Sequence, residues 1–108
     1  MAELNANGAT LTVELAASDD GSALVKVAGE LDITTIEDLE EAVQPVIARD
    51  PKRLVIDVSS LRFADSSAIA LWVKWSTAVP ELEIRDPQPL LRRVIDSMGL
   101  AQTLGVTP

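Results

Sequence analysis

The chain of 108 residues contains no cysteine and no histidine. Without cysteine it can form no disulfide and has no thiolate nucleophile, and without histidine it lacks the commonest general base and the usual zinc ligands. A serine nucleophile would also have no imidazole to activate it. The sequence contains no Gly-rich phosphate loop of the P-loop or dinucleotide-binding type. We therefore expect a protein that is not an enzyme and that binds no metal and no cofactor.

Positive charge is also scarce, since nine Lys and Arg residues stand against 17 Asp and Glu, for a formal net charge of −8. Binding to nucleic-acid phosphates requires Lys and Arg, so this balance argues against a nucleic-acid partner. No apolar run approaches the ~20 residues that a membrane span needs, and the N-terminus lacks a basic segment followed by an apolar one. These features predict a cytoplasmic protein without membrane insertion.

The apolar content of 47% is high enough to build a folded core, and the length fits one domain over residues 1–108. Residues 1–9 are small and polar and are expected to be a flexible lead-in. Hydrophobic periodicity then alternates between strand and helix spacing. The predicted elements are strands over 11–15 and 23–28, a helix over 35–48, a strand over 54–58, a helix over 64–78, a strand around 82–84 and a helix from 89 to a cap at 99.

This order, β-β-α-β-α-β-α, predicts the α/β class, with a mixed β-sheet and flanking helices. The segment Gly29–Asp32 is expected to end the second strand. Pro45 falls inside the first predicted helix, where it removes an N–H and crowds the carbonyl of Glu41, so we expect that helix to be kinked or loosened there. A final helical turn is expected over 100–104.

The segment from Leu54 to Ala68 is the most informative part of the sequence for function. A buried strand is followed by a short predicted loop and then by Asp65, Ser66 and Ser67 at the start of a helix. A helix N-terminus carries roughly +0.5 charge and unpaired N–H donors, and a phosphoryl group adds about −1.5 to −2 charge. A serine in this first turn could therefore be phosphorylated without unfolding the helix. The alternative is that the three side chains only cap the helix.

Three blocks of the sequence resemble the STAS domain family, and within it the bacterial anti-sigma factor antagonists. They are Val25–Asp32, with its Gly-Glu-Leu-Asp motif, then Leu54–Ala68, with its Asp-Ser-Ser motif, then Leu90–Leu100. Their order and spacing cover nearly the whole chain from Leu11. The resemblance implies a single STAS-like domain without bound metal.

The resemblance also implies a partner-switching function that regulates sigma-factor-dependent transcription. The unmodified antagonist would bind a serine-kinase anti-sigma factor, the kinase would phosphorylate it, and a phosphatase would reset it. The phosphoacceptor in the family motif corresponds to Ser66, and Asp32 lies on a neighbouring loop that faces the partner. The partner-binding residues implied by the motifs and their neighbours are Leu31, Asp32, Ile33, Asp65, Ser66 and Ser67.

Some alternatives remain open from the sequence. Ala68 stands where the family usually has glycine, which favours a second reading, a non-switching STAS subunit of a protein complex such as a lipid-transport ATPase. Leu31, Ile33 and Phe63 form an apolar docking patch if they are exposed, and core contacts if they are not. Trp72 is expected in the core, whereas Trp75 is either core or a partly exposed interface anchor.

Overall fold

The computed structural model describes residues 11–107 and has the α/β architecture of one mixed sheet with helices. The predicted lead-in, residues 1–9, lies outside the described residues. In chain order the elements are β1 (Leu11–Ala17), β2 (Ser22–Leu31), α1 (Ile36–Ile47), β3 (Arg53–Ala64), α2 (Ser66–Ala78), β4 (Leu82–Arg85), α3 (Pro89–Ser97) and β5 (Val106–Thr107).

The sheet has the strand order β1-β2-β3-β4-β5, in which β1 pairs antiparallel with β2 and all other pairs are parallel. The antiparallel pair is a hairpin whose turn is fixed by Asp20, since its Oδ1 accepts from the amide of Ser22 at 2.9 Å and from the hydroxyl of Ser18 at 2.7 Å. The parallel pairs are joined through helices, as parallel strands require. Their carboxyl ends therefore meet at one edge of the sheet.

A single apolar cluster holds the sheet and the helices together. Burial alternates along β2, where Ala23, Val25 and Val27 are buried and the residues between them are not. Trp72 and Trp75 of α2 belong to the same cluster, with relative exposures of 0% and 2%. Trp75 is thus a core residue, and the alternative that it anchors a partner is wrong.

Two strands run further than their sequences predict. Strand β2 continues through the Gly-Glu-Leu block to Leu31, and β3 continues to Ala64 instead of giving way to a loop after Val58. The two extensions pair with each other, with Leu31 opposite Ala64, and register shifts near Gly29 absorb the irregularity. Gly29 has a φ of 102°, a conformation that favours glycine. Pairing between distant segments therefore overrode the local break signal.

Three smaller differences concern element ends. The helix α2 begins at Ser66 and not at residue 64, because Asp65 has extended geometry and acts as its N-cap. The helix α1 runs from Ile36 to Ile47 with Pro45 inside it, and no break at Glu41 divides it. The short strand β5 was not expected, since two residues carry no readable periodicity.

Candidate partner-binding site

The candidate site lies where β2 and β3 end side by side. Leu31 and Ala64 are register partners, and the amide of Asp65 donates to the carbonyl of Leu31 at 3.2 Å. Asp32 and Asp65 each follow the last residue of these neighbouring parallel strands. The turn after β2 and the turn after β3 are thereby held next to each other, as the family resemblance implies for Asp32 and Ser66.

The turn between β3 and α2 presents Ser66. Asp65 caps the helix, because its Oδ1 accepts from the amide of Ser67 at 2.9 Å and from the hydroxyl of Ser67 at 2.5 Å. Ser66, the first helical residue, is exposed, and among residues 11–107 no hydrogen bond engages its hydroxyl. Ala68 is fully buried and donates its amide to the carbonyl of Asp65 at 3.1 Å. Alanine at this position is therefore accommodated inside the first helical turn.

The turn between β2 and α1 fixes Asp32 through two threonines. The Asp32 Oδ1 accepts from the Thr34 hydroxyl at 2.6 Å and from the Thr34 amide at 2.9 Å, and these bonds lower the pKa of the Asp32 carboxyl, the hydroxyl bond contributing most. Thr35 is fully buried. Its Oγ1 accepts from the amide of Asp32 at 3.0 Å and donates to the carbonyl of Glu30 at 3.2 Å.

Thr35 holds the turn between β2 and α1 in place. The sequence pattern suggests a different role for it, that of a helix cap. Its hydroxyl signals a helix start, and the helix does begin directly after it, but its side chain makes no capping bond to that helix. The hydroxyl instead bonds back to the end of β2. A threonine beside a strand end can satisfy either set of backbone groups, so the residue type alone does not reveal which one it serves.

The apolar residues at this edge divide into exposed and buried ones. Ile33 is 72% exposed and Phe63 is 52% exposed, so both can contact a partner. Leu31 is fully buried and belongs to the core cluster. Its prediction as a partner-binding residue is wrong, because it is still part of β2 and its side chain alternates onto the inner side of the sheet.

Negative charge predominates around Ser66. Asp32 and Asp65 flank it on the two turns, and Glu30 precedes Asp32 near the end of β2, where it pairs with Arg62 at 3.6 Å. Among residues 11–107, Arg62 is the cation that pairs with this group, and it is itself exposed, so it screens the carboxylates only in part. An added anion on Ser66 would therefore enter an acidic surface.

Within the described part of the chain, the carboxyl edge of the sheet differs from a metal centre, a membrane span or a ligand cavity. Residues 11–107 contain no group of three or more acidic side chains arranged to hold a metal ion. No helix in that range is long and apolar enough to cross a bilayer. A cavity of about 590 Å³, lined by Leu15, Pro45 and Lys52 among others, lies beyond the amino ends of β2 and β3. It is thus at the other end of the sheet from Ser66.

The sequence and the fold are both similar to known proteins. A family model described as "Mlab, STAS domain" matches residues 5–107. The anti-sigma-F factor antagonist RsfB of Mycobacterium tuberculosis, found in two strains, is 33% identical over 97 residues, a match that covers 87% of this chain and 77% of that protein.

Solved structures agree with this match. The crystal structure of an anti-sigma factor antagonist from Mycobacterium paratuberculosis has a TM-score of 0.85 at 28% identity and covers 95% of this chain and 90% of that one. SpoIIAA of Bacillus, an anti-sigma factor antagonist solved in its unphosphorylated form, has a TM-score of 0.75 at 19% identity, covers 89% and 88% of the two chains and shows the same fold.

A five-stranded mixed sheet with helices, and with two adjoining turns at its carboxyl edge, has the fold of a STAS domain. The family model that matches residues 5–107 and the 33% identity to RsfB then specify the family. The chain belongs to the STAS domain family and, within it, to the anti-sigma factor antagonists.

Proposed function

We propose that this protein is an anti-sigma factor antagonist whose binding is switched by phosphorylation of Ser66. The unmodified chain binds a serine-kinase anti-sigma factor in the cytoplasm through the edge that carries Asp32, Ile33, Asp65, Ser66 and Ser67. The kinase transfers the γ-phosphoryl group of ATP to the Ser66 hydroxyl, and the complex separates. A phosphatase removes the group and restores binding. The chain is the substrate of these reactions and not a catalyst.

The exposed hydroxyl of Ser66 at the first residue of α2 is the observation that carries this proposal. A kinase must reach the acceptor oxygen, and this side chain is exposed. The residues on either side of Ser66 bond to each other, since Asp65 accepts from the amide and the hydroxyl of Ser67. Modification of Ser66 therefore leaves the bonds that start the helix in place.

The charges around Ser66 support release after modification. A phosphoryl group brings about −1.5 to −2 charge close to Asp32 and Asp65. Placing that charge in an interface beside two carboxylates costs several kcal/mol through repulsion and desolvation. Each ~1.4 kcal/mol corresponds to a tenfold change in affinity. A cost of roughly 3 kcal/mol should therefore lower the affinity for the anti-sigma factor by about 100-fold.

The test combines the purified chain with kinase-type anti-sigma factors of its own genome and ATP. We expect a mass gain of roughly 80 daltons, one phosphoryl increment, that peptide mapping assigns to Ser66. Calorimetry should show tight binding by the unmodified chain and by Ser66→Ala, and weak binding by the phosphorylated chain and by Ser66→Asp. Ser67→Ala is the matched control, because it changes the adjacent hydroxyl and should still be modified at Ser66.

Two results would contradict the proposal. One is modification at another residue, and the other is a phosphorylated chain that binds its kinase as tightly as before.

The alternative function is that of a non-switching STAS subunit, such as one in a lipid-transport ATPase complex. It predicts a stable complex with an ATPase, and Ser66→Asp should leave that complex unchanged. A pull-down with both variants separates the two functions.

A further inference from the structure

One face of the sheet carries no helix of residues 11–107. The buried side chains of α1, α2 and α3 join a single cluster with inner sheet residues such as Val25 and Ile56. Side chains alternate along a strand, so Lys26 and Asp57 point to the other side, where Lys26 is exposed and Asp57 is half-buried. This outer side of β1–β4 is called the open face.

Four charged residues cross the open face in one line. Register pairs Glu14 with Lys26, Lys26 with Asp57, and Asp57 with Arg85, on the successive strands β1 to β4. The line, called the charge row, alternates in sign from acidic to basic twice. Among the described residues no ion pair joins two of its members, and Arg85 instead contacts Glu83 on its own strand. Asp57 accepts from the amide and the hydroxyl of Ser59 through Oδ1. Glu14, Lys26 and the other carboxylate oxygen of Asp57 have no such partner among residues 11–107 and can contact another molecule, whereas Arg85 shares its guanidinium with Glu83.

We infer that a second copy of this chain docks on the open face, with a two-fold axis parallel to the strands and between β2 and β3. This axis places β1 of one copy over β4 of the other, and β2 over β3. Glu14 then faces Arg85, and Lys26 faces Asp57, each pair occurring twice. An alternating row of even length is complementary to its own reversal, so all four contacts join opposite charges.

The charges also select this axis over the other in-plane two-fold axis. An axis perpendicular to the strands would place each strand over its own copy, so that Lys26 would face Lys26 and Asp57 would face Asp57. Directly opposed like charges are unfavourable.

The interface is small, and the dimer is accordingly weak. Four strands at about 4.8 Å spacing and six residues at about 3.3 Å rise give a footprint of roughly 19 by 20 Å on each copy. Two such footprints bury roughly 760 Å² in total, less than the ~1,000 Å² that a stable interface needs, so the dimer is weak and transient. Facing sheets also twist by about 30°, so the central contacts between Lys26 and Asp57 align best. The net charge of −8 on each copy opposes association as well.

The inferred dimer leaves the candidate site free. An axis parallel to the strands keeps the carboxyl ends of both sheets at the same end of the assembly. Both copies therefore present Ser66 at the same end of the dimer. This arrangement does not depend on whether Ser66 is phosphorylated, so the dimer and the proposed switch can be tested separately.

Charge-swap variants test the interface in solution. Sedimentation equilibrium from about 10 µM to about 1 mM should detect a dimer of the native chain at moderate salt. Lys26→Glu alone and Asp57→Lys alone should each weaken self-association at least tenfold, because each places like charges together twice. An equimolar mixture of the two variants should recover the native dissociation constant within about threefold, since every contact is again between opposite charges.

A second pair guards against a folding defect at Asp57, which also accepts from the amide and the hydroxyl of Ser59 at 3.0 and 2.7 Å. When Arg85 is replaced, the buried Glu83 keeps its ion pair with Arg53. Glu14→Arg and Arg85→Glu should likewise weaken dimers separately and restore them when mixed. Arg93→Glu and Glu41→Lys, which change exposed charges on helices by the same amounts, should leave association unchanged. The inference is overturned if the native chain stays monomeric over the whole range, or if mixing fails to restore dimers for variants whose circular dichroism is native.

Discussion

Replacement of Thr35 by valine tests the reasoning about the candidate site most directly. The hydroxyl is fully buried, accepts from the amide of Asp32 and donates to the carbonyl of Glu30. Valine keeps the shape but leaves both backbone groups without this partner. An unsatisfied buried group costs about 1–3 kcal/mol, and a lost hydrogen bond about 1 kcal/mol. We expect Thr35→Val to lower the free energy of unfolding by about 2–3 kcal/mol.

Urea denaturation followed by tryptophan fluorescence measures this loss, because Trp72 and Trp75 are both buried. Thr34→Val is the control, since its hydroxyl bond is exposed and water replaces it; a change within about 0.5 kcal/mol is expected. Thr35→Ser keeps the hydroxyl and should lose only about 1 kcal/mol for the missing methyl group. Equal stability losses for Thr35→Val and Thr34→Val would refute the assignment of Thr35 as the residue that positions the turn.

Three further predictions concern the capping, the pH dependence and the backbone. Asp65→Ala should lose about 1 kcal/mol in the same urea assay, because the cap of α2 is removed, and an unchanged midpoint would contradict the capping role. The native pKa of Asp32 lies below its usual value of 3.8, so its contribution to stability is present above pH 3.8 and is lost as the pH falls through the native pKa. Thr34→Val should raise that pKa toward 3.8, as measured by carboxyl NMR titration, and no rise would contradict the role of the hydroxyl. Gly99→Ala should lower the free energy of unfolding by about 1–2 kcal/mol because of its positive φ alone. Gly105→Ala should lower it clearly more, because the added Cβ would also overlap a backbone carbonyl of β4. Equal losses of stability in calorimetry would contradict this.

Local patterns were sufficient to predict most of the elements of this fold. The alternation of Leu11, Val13 and Leu15 predicts β1, and the apolar run from Leu54 to Val58 predicts the start of β3, because burial on one or both faces is written directly in such spacing. The helix after Asp65 is predicted by its capping residue. All three lie in described elements of the predicted type.

The extensions of β2 and β3 were beyond the reach of local patterns. The Gly-Glu-Leu-Asp segment has a break signal, yet it stays in the sheet because Leu31 pairs with Ala64, a residue that lies 33 positions further along the chain. The burial of Leu31 follows from this pairing and explains why its predicted contact with a partner is wrong. Ser66, Asp65 and Asp32 were placed at one edge by a motif resemblance, and periodicity alone could not have brought them together.

The exposed hydroxyl of Ser66 at the first residue of α2 determines which methods can detect its modification. Its neighbours already satisfy one another, through Asp65 with Ser67 and through the amide of Asp65 with Leu31. A group attached there alters the outline and the charge of the molecule and leaves its interior untouched. Methods that measure helix content should therefore detect little change, whereas isoelectric focusing should detect the added negative charge directly.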